Sequence, residues 1–190
     1  MRSDEAIKRG FRKLLETNPP SSVTIIDICN EAGVSRRAFY NLFADRNDVI
    51  EHILDDDIVK PVHTLNDLFG IGTLKTSPLL ITERVYTNLY NNKNYYISLV
   101  SQENTRHVFV DLVIKKCRNL VDDLFRQSVL PEEERLYIAY LVASAHAMVL
   151  QRWISEGMTT SPLVMAKYFD KWILSSISPE SMGFFLPTGR

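Results

Sequence analysis

Arg36 and Arg37 stand side by side directly after Ser35, at the start of a short amphipathic stretch. A serine in that place is a helix N-cap, because its hydroxyl can accept from a backbone N–H that has no partner within the helix. Two arginines in the first exposed turn then offer planar guanidinium forks, each able to donate two hydrogen bonds to O6 and N7 of a guanine. Ala38 comes next in the chain. Tyr40, Asn41 and Arg46 follow at spacings that let them reach phosphates on either side of a groove. Phe39, Leu42 and Phe43 fall on the opposite side and are expected to pack inward. These residue types point to nucleic-acid contact rather than to bond-making chemistry.

The elements that position them can be read outward from this point. Thr24 and Asp27 form a T-x-x-D pattern, a cap followed by an acid suited to the positive end of a helix. Ile25, Ile28, Cys29 and Ala32 keep helical spacing, and Gly33 stands where a helix ends with positive φ. Val34 is the apolar plug of the turn. Two short helices around such a corner make a helix-turn-helix, whose second helix enters the major groove. The unpaired N–H groups after Thr24 and Ser35 suit phosphates. A preceding helix, 3–17, carries Ala6, Ile7, Phe11, Leu14 and Leu15 on one side and stops at Asn18-Pro19-Pro20. Asp45 caps a further element, 46–60, with Val49, Ile50, Ile53 and Leu54 inward and Pro61 at or near its end.

The run AGVSRRAFYNLFADRNDVI resembles the signature of the TetR/AcrR family of bacterial transcriptional regulators. The A-G-V-S turn, the Tyr-x-x-Phe and the basic residue three positions later carry the likeness, which covers roughly the first third of the chain. The resemblance implies phosphate contacts from Tyr40, Thr24 and Arg46, and base reading by the residues after Ser35. One position departs from the pattern. Where the family often has His or Tyr touching the DNA backbone, this chain has Leu42. Some proteins of this type act as co-activators through a partner protein, and the C-terminal half vaguely resembles regulators of dihydroxyacetone kinase operons.

Composition sets the outer bounds. The chain has 190 residues, 45% hydrophobic and 24% charged, as in ordinary globular proteins. Its net charge of −1 does not by itself suggest a nucleic-acid partner. The distribution does: residues 1–46 hold eight basic against six acidic side chains, while 47–60 hold five acids against Lys60. That acidic run reads as a solvated helix face. Cys29 and Cys117 show no metal-ligand pairing, and Cys29 reads as a small buried apolar residue. No signal peptide and no apolar run of membrane-spanning length is present, and a reducing cytoplasm fits. A nucleophile elbow, a phosphate loop, a metal box and paired carboxylates are all lacking, so no enzyme, metal or cofactor is expected.

The whole pattern is helical, predicting an all-α protein of about nine helices. The division is a DNA-binding head at 1–46, a connecting helix and linker at 47–76, and a ligand-binding and dimerisation body at 77–190. Body helices are expected from Ser77-Pro78 to about Asn91, over 95–102 and 105–127, from Pro131 to about Glu156, and from Ser161-Pro162 to about Ser176. The stretch from Leu136 to Ile154 is apolar nearly all round, so it must be buried on more than one side. With the last helix it forms a candidate homodimer face: Ile138, Leu141, Val142, Ala145, Val149, Tyr168 and Trp172. Ala139, Ala143 and Ala147 would let another helix approach closely. The resemblance implies a small-molecule pocket in the body, for which Tyr86, Tyr90, Tyr96, His107, Phe125 and His146 are candidates. The expected function is a dimeric regulator of a palindromic double-stranded operator, more often a repressor, modulated by an effector of unknown identity. The alternative is a co-activator or protein-interaction module with a diminished DNA role.

Overall fold

A computed structural model describes residues 3–69, 78–125 and 130–171. Among these every regular element is helical. The head holds α1 (Ser3–Thr17), α2 (Ile25–Ala32) and α3 (Arg36–Tyr40). Helix α4 begins as Arg46–Leu54, passes through a π turn at Asp55–Val59 and goes on as Lys60–Phe69. The body holds α5 (Pro78–Asn91), α6 (Lys93–Ser101), α7 (Glu103–Phe125), α8 (Glu132–Ser155) and α9 (Pro162–Phe169).

Local chemistry explains the corner. Thr24 and Asp27 form a complete capping box: each backbone N–H donates to the other's side chain, at 3.2 and 2.8 Å. Gly33 ends α2 at φ 67°, a left-handed conformation that a Cβ would strain. Ser35 then caps α3, accepting from the Ala38 N–H at 3.1 Å. Asp45 caps α4 in the same way, accepting from Asp48 at 2.9 Å. Gly10 lets α1 lie close against α2, since a Cβ there would stand 3.3 Å from the Ala32 nitrogen.

Pro61 does not end α4 as expected. A proline inside an α-helix lacks the N–H for the carbonyl four residues back, and its ring crowds that carbonyl. Here the preceding turn widens instead: Lys60 donates to the Asp55 carbonyl, five residues back. The Asp57 carbonyl, left without a donor from Pro61, accepts from Asn88 Nδ2 of α5 at 3.3 Å.

Head and body share one continuous apolar core. Ile7, Phe11 and Leu15 of α1 belong to the same buried cluster as Tyr95, Tyr96 and Phe109 of the body. In the body, α8 packs along α7, and α9 packs on α5. Ala139, Ala143 and Ala147 are fully buried within the chain's own interior, so their small size admits α7 rather than a second chain. The expected linker at 70–78 lies outside the described residues except for Pro78.

Candidate nucleic-acid interface

The short helix α3 carries both arginines into solvent. Arg36 and Arg37 are exposed, and among the described residues neither forms an ion pair. Arg36 lies near enough to Cys29 to offset part of the rise that burial gives the thiol's pKa. Tyr40 is half-exposed, braced edge-on against the Phe39 ring at 5.5 Å. Asn41 is exposed and Ala38 half-buried. Phe39 and Phe43 pack inward as expected. Leu42 does not: it is 42% exposed, because the chain leaves the helical path just there and Phe43 takes the inward position. Ile26 of α2 is exposed as well. This surface thus mixes uncommitted cations with bare aliphatic side chains.

Thr24 and Arg46, both expected on phosphates, have partners within the chain. The Thr24 hydroxyl donates to Asp27 Oδ2 at 2.6 Å and accepts from the Asp27 N–H. These bonds hold the Asp27 carboxyl below its ordinary pKa. The Arg46 guanidinium is partly buried and its Nη1 donates to the carbonyls of Pro20, at 2.9 Å, and Val23. It therefore closes the loop between α1 and α2. Contact with a phosphate would leave only its remaining N–H groups for the purpose.

In the body, the face expected to be a dimer surface is largely bare. Tyr137 is 70% exposed and Leu141 68%, and Tyr140, Met148, Val149 and Tyr168 are also exposed. Ala145 is exposed and Ile138 half-buried. An open groove of about 500 Å³ runs along Met148, Val149, Gln151, Arg152, Ser155 and Glu156. Val142 differs from expectation, packing inward with Val121 and Ala139 because it sits on the α7 side of α8. Trp172 lies outside the described residues.

Among the described side chains, the candidate pocket residues do not form one group. Tyr86 and His146 do meet, in the core: His146 Nε2 is 3.2 Å from the Tyr86 hydroxyl, and Nδ1 is 3.6 Å from Cys117 Sγ. Burial holds the imidazole neutral, with its pKa down at about 3, and pushes the Cys117 thiol up to about 12. Phe169 lies against the His146 ring at 4.1 Å. Tyr96 belongs instead to the junction of head and body, where it bonds Asp57. Tyr90 sits at the surface over Trp153, and His107 is exposed. The Phe125 side chain lies outside the described residues.

Comparison with known proteins completes this picture. Residues 77–175 match the family described as "Transcriptional regulator C-terminal region", the TetR C-terminal region. The chain belongs to the TetR family of transcriptional regulators. Its family is thus one of regulators and not of enzymes. The solved structure of the dihydroxyacetone kinase operon activator DhaS superposes over 92% of this TetR-family chain and 96% of its own length, with TM-score 0.65 and 19% identity. A TetR transcriptional regulator from Streptococcus agalactiae superposes over 90% and 93%, with TM-score 0.51 and 15% identity. At those identities the likeness is one of fold. In sequence, the dhaKLM operon activator DhaS of Lactococcus lactis is 24% identical over 68 residues, which span 36% of each chain. No helix among the described residues is long and apolar enough to cross a membrane.

Sequence reading misses one group of the TetR-family chain altogether. The acidic run of α4 is not a solvated face. Asp57 is buried against Arg12 and Tyr96, and Asp56 pairs with Lys8 and Lys60. Glu51 and Asp55 reach Lys115 and Lys116 of α7. The signal available is the spacing Lys8-x-x-x-Arg12, a basic pair on one face of α1.

Proposed function

We propose that this transcriptional regulator works as a homodimer that reads a palindromic double-stranded operator through α3. The observation that supports this is the contrast in commitment of cations. Among the described residues Arg36 and Arg37 are exposed and form no ion pair, as is also true of Arg9, whereas Lys8, Arg12, Lys13, Lys115 and Lys116 are all engaged by carboxylates. The two arginines are the base-reading pair. Tyr40, Asn41 and the capped start of α3 at Ser35 take phosphates, and Ala38 leaves room for a base edge. Thr24 and Arg46 act chiefly by fixing the corner, since their best donors are spent on Asp27 and on backbone carbonyls.

A lone five-residue reader is a weak one, and two copies related by a two-fold axis meet two half-sites about 34 Å apart or a multiple of it. The bare stripe of Tyr137, Leu141 and Met148 with Tyr168 is the surface we assign to the second copy, a four-helix contact of α8 and α9 with their mates. Repression is the first reading of its sign. For the effector, we assign the layer where Phe169 covers His146, whose other partner is Tyr86. A flat, largely apolar molecule with one polar edge could replace Phe169 there and meet the imidazole.

A co-activator acting through a partner protein is the second reading. Exposed Ile26 and Leu42 flank the arginines, which favours a protein partner on that surface, and the fold neighbour DhaS is named an activator. Selection of bound duplexes from a random pool separates the two. A palindrome is expected; no enrichment would overturn the DNA reading. On the selected duplex, Arg37→Ala is expected to weaken binding roughly thirtyfold, as for loss of a bidentate base contact worth about 2 kcal/mol. Sedimentation of Leu141→Glu is expected to show monomers where the unaltered chain gives dimers.

A further inference from the structure

The π turn of α4 brings four helices together at one residue, Asp57, whose carboxylate is held from α1 and α6 and whose carbonyl is held from α5. Asp57 is 6% exposed, and both its oxygens are engaged. Arg12 of α1 grips it as a fork, with Nη1 at 3.0 Å from Oδ2 and Nη2 at 3.1 Å from Oδ1. The Tyr96 hydroxyl of α6 donates to Oδ2 at 2.5 Å. The backbone of the same residue accepts from Asn88 of α5. Pro61, with no N–H, leaves the Asp57 carbonyl to Asn88, and the widened turn before it carries the Asp57 side chain. Around it stand further bonds across the same junction. Lys8 reaches Asp56, and Lys116 reaches both Glu51 and Asp55 at 2.9 and 2.7 Å.

We propose that Asp57, held by Arg12 and Tyr96 on the proline-widened turn, is the positioning residue that fixes the head on the body. A buried ion pair adds little net stability over a well-packed apolar substitute, yet is costly to break from one side. Such a contact is suited to selecting one arrangement of two packed parts. Any displacement of α5 or α6 moves Asn88 or Tyr96, and through Asp57 it moves α1 and the head. The coupling is reciprocal, so whatever holds the head also restrains α5 and α6. The adjacent Tyr95 supplies the control. It is as buried as Tyr96 and lies under the Arg12 guanidinium, but its hydroxyl has no hydrogen-bond partner among the described residues. Area and shape are common to the two tyrosines, and only Tyr96 carries the bond.

Native-state hydrogen exchange on the full chain tests this without DNA. In the unaltered chain the amides of α1–α3 and of α6 are expected to open together. In Tyr96→Phe and Asp57→Asn the head amides should exchange at least about tenfold faster, while those of 139–154 in α8 keep their rates. Tyr95→Phe should change neither. A uniform acceleration of head and body, or equal effects of the two tyrosine changes, would overturn the proposal. If Asp57→Asn does not fold, Tyr96→Phe decides alone. A second arm rests on the proposed DNA reading. The selected duplex should slow exchange in α6 of the unaltered chain and not in Tyr96→Phe, and slowing in both would count against the coupling. Should the unaltered chain bind no duplex, the DNA reading falls and the DNA-free arm still decides the role of Asp57.

Discussion

Arg12 and Arg37 are the same side chain in two opposite settings. Arg12 is mostly buried, forked onto Asp57 and stacked over the Tyr95 ring. Burial works against its charge, and nearby Tyr96 and Asp57 more than offset that. Arg37 stands in solvent and forms no ion pair among the described residues. The first arginine spends its donors inside the molecule and determines where the head sits. The second keeps all five of its donors for something outside. A regulator needs both kinds: a surface whose charges are unsatisfied until a ligand arrives, and a junction whose charges are satisfied only in one arrangement.

The largest effect expected from breaking this contrast is on stability. Arg12→Ala leaves Asp57 buried with Tyr96 alone and should cost about 3–5 kcal/mol in urea unfolding. Arg37→Ala should stay within about 0.5 kcal/mol of the unaltered chain in the same titration. Similar losses from both would abolish the distinction. Arg46 falls between the two. Its charge-assisted bonds to the Pro20 and Val23 carbonyls suggest a loss of roughly 2 kcal/mol in Arg46→Ala. If those bonds are its main role, the salt slope of duplex binding should not change. A slope lower by about one would return Arg46 to the phosphates.

Much of this is legible in the chain. The corner is, because each of its positions has a local cause: Thr24 and Asp27 box the start of α2, Gly33 ends it, and Ser35 and Asp45 cap α3 and α4. The all-α body is legible from its proline starts and its apolar spacing. The acidic run is not, because its partners lie 45 residues away in α1 and 64 in α7, and periodicity carries no information about such pairs. The course of α4 past Pro61 is hidden for a related reason. The residue that compensates the missing N–H is Asn88, on another helix. Spacing gives Val142 the wrong neighbour, because a helix apolar all round does not say which side is whose. Helical phase places Leu42 inward, but α3 ends before phase applies to it.

The outer edge of the junction should respond to pH. Bonds from Lys115 and Lys116 hold Glu51 down at about 2, against an ordinary value of 4.5. A carboxylate depressed on folding adds stability that is complete above its ordinary value and lost as pH falls from there towards 2. Unfolding midpoints measured between pH 6 and 3 should therefore fall more steeply for the unaltered chain than for Glu51→Gln. The pairs are partly exposed, so the difference should be about 1 kcal/mol or less and should shrink in high salt. A difference that persists in high salt would place Glu51 with Asp57 among the buried contacts.

The smallest effect sharpens the outer surface. Leu42 is exposed beside Tyr40 and gives a phosphate nothing to bond. Leu42→His should leave stability within about 0.5 kcal/mol, because no core contact is lost. If the α3 face lies on DNA, the new donor should raise affinity for the selected duplex a few-fold, most clearly at low salt and below about pH 6.5, where the imidazole is charged. If that face instead seats a protein partner through Ile26 and Leu42, the same change should weaken the partner and leave the duplex unaffected. One substitution at an apolar position thus asks of Arg36 and Arg37 what their own removal cannot, namely what the surface around them was shaped to meet.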